Sequence, residues 1–174
     1  MSLLQVLNKQ KVIPINTPLF RKKTEVLVKH LAVSEFSVRL EFIDVKAMQK
    51  LNKRMFGLNR PTDVISVPTL RIKPPNQPKP LYGMIYELGD ISICPEHSAK
   101  YAERDEMEPY ERLDVLLVHS LCHLMGYEHE KDSDYILMDK KEKELLNVLS
   151  DFKTTEKHAQ LEEAFKTKNT NESG

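Results

Sequence analysis

The segment Leu113–Gly126 constrains the fold most tightly. Leu113, Leu116, Leu117, Leu121 and Leu124 recur at helical spacing and make one apolar stripe, and Gly126 closes the pattern where a helix C-terminal cap is expected. A helix this apolar is not stable on an open surface, so the rest of the chain must supply the layers that cover it. The 174 residues suffice for one domain of ordinary size, and 40 % hydrophobic against 30 % charged residues gives it a real core and argues against general disorder.

The other elements read in order along the chain. Leu3–Leu7 is a short apolar run of strand type. Thr17-Pro18 reads as N-cap and first helical residue of a helix to about Ala32, with Leu19, Val26, Leu27 and Leu31 buried. Phe36–Ile43 alternates, Phe36, Val38, Leu40 and Phe42 against Arg39 and Glu41, as a half-buried strand does. Asp44 caps a second helix with apolar Val45, Met48, Leu51 and Met55, and Gly57 stops it. Asp63–Val67 and Ile91–Cys94 are short β-rich runs around a loop holding Pro74, Pro75, Pro78 and Pro80. Pro109 suits the first turn of the leucine-rich helix, and a last amphipathic helix covers about Asp134–Leu149, with Ile136, Leu137, Leu145 and Leu149 apolar. This order argues for a single α+β or α/β domain with one mixed sheet and helices on its faces. The α+β form is adopted for residues 1–150, with about four strands, helices packed round them and the histidine-bearing end of the central helix as the metal site. Residues 151–174 read as a polar tail, partly helical and then disordered past Phe165.

Composition excludes several classes. No apolar stretch approaches the roughly 20 residues of a membrane helix, and Lys9 and Lys11 interrupt the first apolar run too early for a secretory signal. Two cysteines, Cys94 and Cys122, make no disulfide framework and fit a reducing compartment. The net charge is zero but unevenly spread, with 12 basic and 4 acidic residues in the first 60 positions and 14 basic and 22 acidic ones thereafter. Such asymmetry suits a face for a polyanion as well as it suits ordinary solvated surface.

Chemistry concentrates in His119-Ser120-Leu121-Cys122-His123-Leu124-Met125-Gly126-Tyr127-Glu128-His129. His119 and His123, four apart on a helix, share a face beside the leucine stripe. A sharp turn at Gly126 lets His129 swing back to the same point. Three imidazoles with a coordination position left open suit one catalytic divalent ion, Zn2+ first. The same spacing serves metzincin proteases, whose H-E-x-x-H carries a glutamate as general base. Here that position is Ser120, a very poor base, so proteolysis is the weakest of the enzymatic readings. Cys122 lies across the helix from the histidines and reads as a packing residue. Glu128 suits either a partner for an imidazole or exposed turn surface, and His30, His97 and His158 read as ordinary isolated histidines.

This segment resembles the YbeY family of metal-dependent endoribonucleases, whose bacterial signature is close to H-G-x-L-H-L-x-G-Y-D-H. The match comprises His119, His123, His129, Leu124, Gly126 and Tyr127. Two further family landmarks stand in order before it, Pro61-Thr62-Asp63-Val64-Ile65-Ser66-Val67-Pro68 and Leu88-Gly89-Asp90-Ile91. The resemblance implies His119, His123 and His129 as metal ligands. It also implies single-strand-specific cleavage of RNA in small-subunit rRNA 3′-end maturation, with single-stranded rRNA and the small ribosomal subunit, or one of its proteins, as partners and no membrane. Cys122 and the Val12–Ile15 start look like animal mitochondrial members, and the first acidic residue, Glu25, suits mitochondrial import; a bacterial member would be cytoplasmic.

One departure bears on activity. The family carries Tyr-Arg shortly before its P-T-D motif, and alignment on Pro61 puts Met55 and Phe56 in those positions. Phenylalanine cannot supply the charge-assisted, often bidentate bonds of a phosphate-gripping arginine. Lys53, Arg54 and Arg60 are the remaining candidates for RNA phosphates, each equally readable as a solvated cation at a helix end. No general base is identifiable, and Asp63 reads as structural. The non-enzymatic alternative is a ribosome assembly factor with a retained zinc site, which the missing arginine favours and the open ligand set opposes.

Overall fold

The computed structural model describes residues 3–80, 83, 84 and 86–171, with backbone alone at 158, 159 and 161–171. Among the described residues four strands make one sheet, β1 (Leu4–Asn8), β2 (Phe36–Phe42), β3 (Val64–Pro68) and β4 (Tyr86–Ile93), in the order β1-β2-β4-β3. β1, β2 and β4 run parallel, and β3 pairs antiparallel to β4 at the edge, where Pro68 costs no ladder bond the sheet needs. The helices are α1 (Thr17–His30), α2 (Val45–Phe56), α3 (Pro95–Arg104), α4 (Pro109–Leu124) and α5 (Asp132–Asn171). The fold is α+β with a mixed four-stranded sheet, the form adopted from the element order.

Alternation places β2 at the centre. Phe36, Val38, Leu40 and Phe42 are all buried, while Ser37, Arg39 and Glu41 between them are only half-buried. The leucine stripe of α4 belongs to the same core cluster: Leu113, Leu116, Leu117, Leu121 and Leu124 are all buried, each worth about 1.5–3 kcal/mol when fully buried. Helix α4 packs on β3 and β4, α3 and α5 pack on α4, and α1 packs on β1 and α5. Along the central helix Pro109, Tyr110 and Glu111 of the first turn stay exposed, and toward its C-terminal end His119 and His123 are half-buried between buried neighbours.

Two glycines allow that end to approach the sheet. In β4, Glu87 pairs with Ser37 and Gly89 with Val38, so Leu88 is an extra residue in a bulge. Gly89 has φ +151°, and a Cβ there would lie 2.6 Å from Leu124 Cδ2 on α4. Gly126 has φ +89°, and a Cβ there would overlap the carbonyl of Ile72. Only glycine fits this turn, which redirects the chain toward His129.

Several elements differ from expectation. Helix α1 is capped by Asn16, whose side chain accepts from Leu19 N–H at 3.1 Å, so Thr17 is already helical. Its buried face carries Phe20, Lys23, Thr24, Leu27 and Val28, with Leu19 and Val26 only half-buried. β4 begins at Tyr86 rather than Ile91, because pairing with β2 overrides the glycine in its middle. Helix α3 has no counterpart in the apolar pattern: its buried face is Pro95, Ser98 and Ala102, small residues that leave no hydrophobic signature. In α5 the inward residue of the first turns is Met138, with Ile136 and Leu137 65 % and 51 % exposed. That helix continues past Leu149 to Asn171 through a stretch free of glycine and proline. The disorder expected past Phe165 differs from this helical backbone up to Asn171, and residues 172–174 lie outside the described residues. Asp44 and Gly57 cap α2 at its two ends as the sequence predicts.

Candidate metal centre and cleft

His119 and His123 stand one turn apart near the end of α4, their ring centroids 4.5 Å apart. After the turn at Gly126 the ring of His129 returns to 5.6 Å from His119 and 5.1 Å from His123. One nitrogen from each of the three lies within 4.8 Å of the others. The spacing therefore brings together the three histidines it singles out.

Hydrogen bonds behind the rings fix which nitrogen faces inward. His123 Nδ1 lies 3.0 Å from the carbonyl of Tyr127, which can only accept, so Nδ1 carries the proton. His119 Nδ1 lies 2.9 Å from Glu142 Oε1 on α5, and a carboxylate likewise accepts. Both rings then turn bare Nε2 lone pairs toward each other at 3.0 Å. Two acceptors facing at that distance are satisfied by a cation between them, and a third imidazole completes a nitrogen donor set of the kind zinc prefers. Burial first, and then the neighbouring His119, hold the pKa of His123 below its ordinary value, which keeps the ring neutral and ligand-ready at neutral pH. These three residues could hold a metal ion.

The neighbours of the histidines are not reactive. Burial, chiefly, pushes the Cys122 thiol up to about 12, and the side chain is fully enclosed in the core. Ser120 is also fully buried, its hydroxyl without a partner among the described residues, so it faces away from any water beside the imidazoles. Glu128 is exposed on the turn. The carboxylate that orients an imidazole is Glu142, 23 positions beyond His119 on another helix, which no local spacing could single out.

His119 and His123 form part of the lining of a cleft of about 730 Å³. Arg60, Phe56 and Leu58 line it from the end of α2 and the loop beyond, Val64 and Ser66 from β3, and His97 and Tyr101 from α3. The loop is pinned from within: buried Asn52 donates to the carbonyl of Arg60 at 2.8 Å, and Gln49 donates to Asn59 Oδ1 at 3.1 Å. Arg112 of α4 donates to Asp63 and to Asp105, both at 3.0 Å, clamping the start of β3 and the α3–α4 turn against the central helix. Asp63 is thus a structural anchor through an ion pair, and its side chain is occupied by a guanidinium.

The cationic candidates separate here. Arg60 lines the cleft, whereas Lys53 and Arg54 are exposed in the last turn of α2 and are not part of the lining. His30 is paired with Glu144 at 2.7 Å, away from the cluster. His97 is not an isolated surface histidine: it lines the cleft, packs edge-on to Tyr101 at 5.3 Å, and has a buried Nδ1 with no partner among the described residues. Its helix has no apolar pattern, which hid it from the sequence. The side chain of His158 lies outside the described residues.

One mixed sheet, one central helix and three convergent imidazoles at a cleft define an α+β domain with a candidate catalytic metal centre. The model of the Endoribonuclease YbeY family matches residues 5–150, and the chain belongs to that family. Endoribonuclease YbeY of Homo sapiens is 35 % identical over 148 residues, covering 84 % of this chain and 87 % of the relative. The protein of the same name from Syntrophus aciditrophicus is 33 % identical over 144 residues, covering 82 % and 86 %. In fold the chain is similar to the solution structure of TM1509 from Thermotoga maritima, with TM-score 0.60 and 22 % identity over 87 % of this chain and 93 % of that one. No described helix is long and apolar enough to cross a membrane.

Proposed function

We propose that this protein is a metal-dependent endoribonuclease that hydrolyses phosphodiester bonds of single-stranded RNA, with His119, His123 and His129 holding one divalent ion, Zn2+ by the chemistry of its donors. The observation that carries this reading is the pair of Nε2 atoms facing each other at 3.0 Å beside a third imidazole, at an open cleft. A divalent ion there supplies a Lewis acid for a phosphoryl oxygen and an acidified water. The chain's own residues do the rest. Glu142 and the Tyr127 carbonyl hold two rings in the ligating tautomer, and Arg60 neutralises a backbone phosphate at the cleft. Buried Ser120 takes no part, which also removes the base that proteolysis would need.

The substrate in the cell, on this reading, is the 3′ end of small-subunit rRNA, and the small subunit or one of its proteins is the partner. The compartment is the mitochondrion, on the features shared with animal mitochondrial members; a tagged full-length protein tests this by microscopy. Cells lacking the protein should accumulate unprocessed small-subunit rRNA, corrected by the parent chain and not by His123→Ala. Correction by both would move the assignment to an assembly factor in which the metal site is structural.

A further inference from the structure

Phe56 is the last residue of α2, and it is 58 % exposed although it lines the same cleft as His119 and His123. Among the described residues it makes no ring contact, whereas Tyr101 in the same lining packs with His97 and lies under the guanidinium of Arg112 at 5.2 Å. Leu58, 44 % exposed, lines the cleft beside it. Leaving a large apolar ring in water forgoes roughly 25 cal/mol per Å² of burial, and the segment holding it is not loose. Gly57 caps the helix by donating to the Lys53 carbonyl, and Asn52 ties down Arg60. Phe56 is therefore presented on a fixed element, its ring open to a ligand.

The cleft is chemically two-sided. Phe56 and Leu58 give an apolar wall, while Arg60 and the imidazole cluster give a side that attracts anions when it holds a cation. Arg60 is the one lysine or arginine among the described lining residues, so the cleft is poor in the charge that would grip a phosphate backbone by electrostatics alone. A ligand with a flat apolar ring joined to an anionic group matches both sides, and a volume of about 730 Å³ accommodates it. A nucleotide with an unpaired base has that composition. A base inside a duplex has its faces covered and does not.

We infer that Phe56 is a base-stacking residue: its exposed ring receives one unpaired nucleobase of the RNA and so sets which phosphate lies at His119, His123 and His129. The inference rests on the ribonuclease reading, and it names a specificity-determining contact within that site. Stacking on an aromatic ring is worth about 1–3 kcal/mol per base, which converts to about 5- to 150-fold in affinity.

The test is binding rather than turnover. The metal-loaded protein is titrated against a fluorescein-labelled single-stranded hexaribonucleotide and against a set in which each position in turn is abasic. Phe56→Ala is expected to weaken binding of the intact oligonucleotide about 5- to 150-fold with an unchanged melting temperature, because the ring is exposed. Phe56→Tyr should restore it and Phe56→Leu should not. One abasic position should weaken the parent protein and have no further effect in Phe56→Ala. The inference is overturned if Phe56→Ala binds as tightly as the parent, or if Phe56→Leu restores affinity, which would mean a general apolar contact such as a protein partner makes. If the parent binds no single-stranded RNA at all, the ribonuclease reading itself fails and the inference with it.

Discussion

Glu142 Oε1 accepts from Nδ1 of His119 at 2.9 Å, so a residue of α5 fixes the tautomer of an imidazole on α4. The pair couples the packing of the last helix to the donor set of the candidate metal centre. Glu142→Ala is predicted to lower metal affinity by about 10- to 100-fold, measured by competition with a fluorescent chelator. Glu142 is partly exposed at the helix surface, so the melting temperature of the metal-free protein should barely change.

Metal binding should stabilise the folded chain by mass action. At about 100 times its dissociation constant, one ligand adds about 2.7 kcal/mol. Differential scanning calorimetry should then give a melting temperature that rises with added Zn2+ for the parent protein and stays flat for His123→Ala.

Gly126→Ala is predicted to cost about 2 kcal/mol or more, because the backbone there has φ +89° and a Cβ would overlap the Ile72 carbonyl. Relief requires the turn to move, and His129 moves with it, so metal affinity should fall in parallel. Urea denaturation and metal titration of the same sample check both effects.

The buried ion pair of Lys23 with Asp114, at 2.8 Å, joins α1 to α4, and Lys153 of α5 reaches the other oxygen of Asp114. This arrangement predicts an asymmetry. Asp114→Leu leaves the buried Lys23 ammonium unpaired and should destabilise by about 3–5 kcal/mol. Lys23→Met leaves Asp114 with Lys153 and should cost clearly less. Equal losses in urea denaturation would contradict this account.

Glu41 supplies the pH dependence. Burial works to raise its pKa, but bonds from Lys9 at 2.8 Å and Ser92 at 3.0 Å, with the charges of Lys9 and Arg39, outweigh burial and hold the carboxyl below its ordinary 4.5. A depressed folded value means that this contribution is complete above 4.5 and is lost as the pH falls through the lowered value. Glu41→Gln should therefore be about 1–2 kcal/mol less stable at neutral pH, and the difference should shrink in acid.

How much of this was legible in the sequence depends on the range of each interaction. The leucine stripe, the alternation of β2 and the caps at Asp44 and Gly57 are local patterns, and the structure carries them as read. The three histidines were legible for the same reason, since one helical turn and one glycine turn set their convergence. Helix α3 was not, because Ser98 and Ala102 bury almost no apolar area, and His97 was lost with it. Ile136 and Leu137 misled because helical phase in α5 is set by Met138, Leu145 and Leu149 against the core rather than by the most apolar pair. Glu142 and the Lys23–Asp114 pair are long-range contacts with no trace in spacing. The resemblance to the YbeY family added the landmarks Pro61–Pro68 and Leu88–Ile91, which the structure places in the turn into β3 and β3 itself, and at the bulge of β4.

The most direct measurement is cleavage of an end-labelled single-stranded RNA by the purified parent protein, by His123→Ala, and by the parent with a chelator before and after Zn2+ is restored. The account predicts cutting by the parent alone, its loss with chelator and its return with the ion, and no cutting by His123→Ala. Undiminished cutting by His123→Ala, or by the chelated parent, would contradict a reaction centred on the three imidazoles.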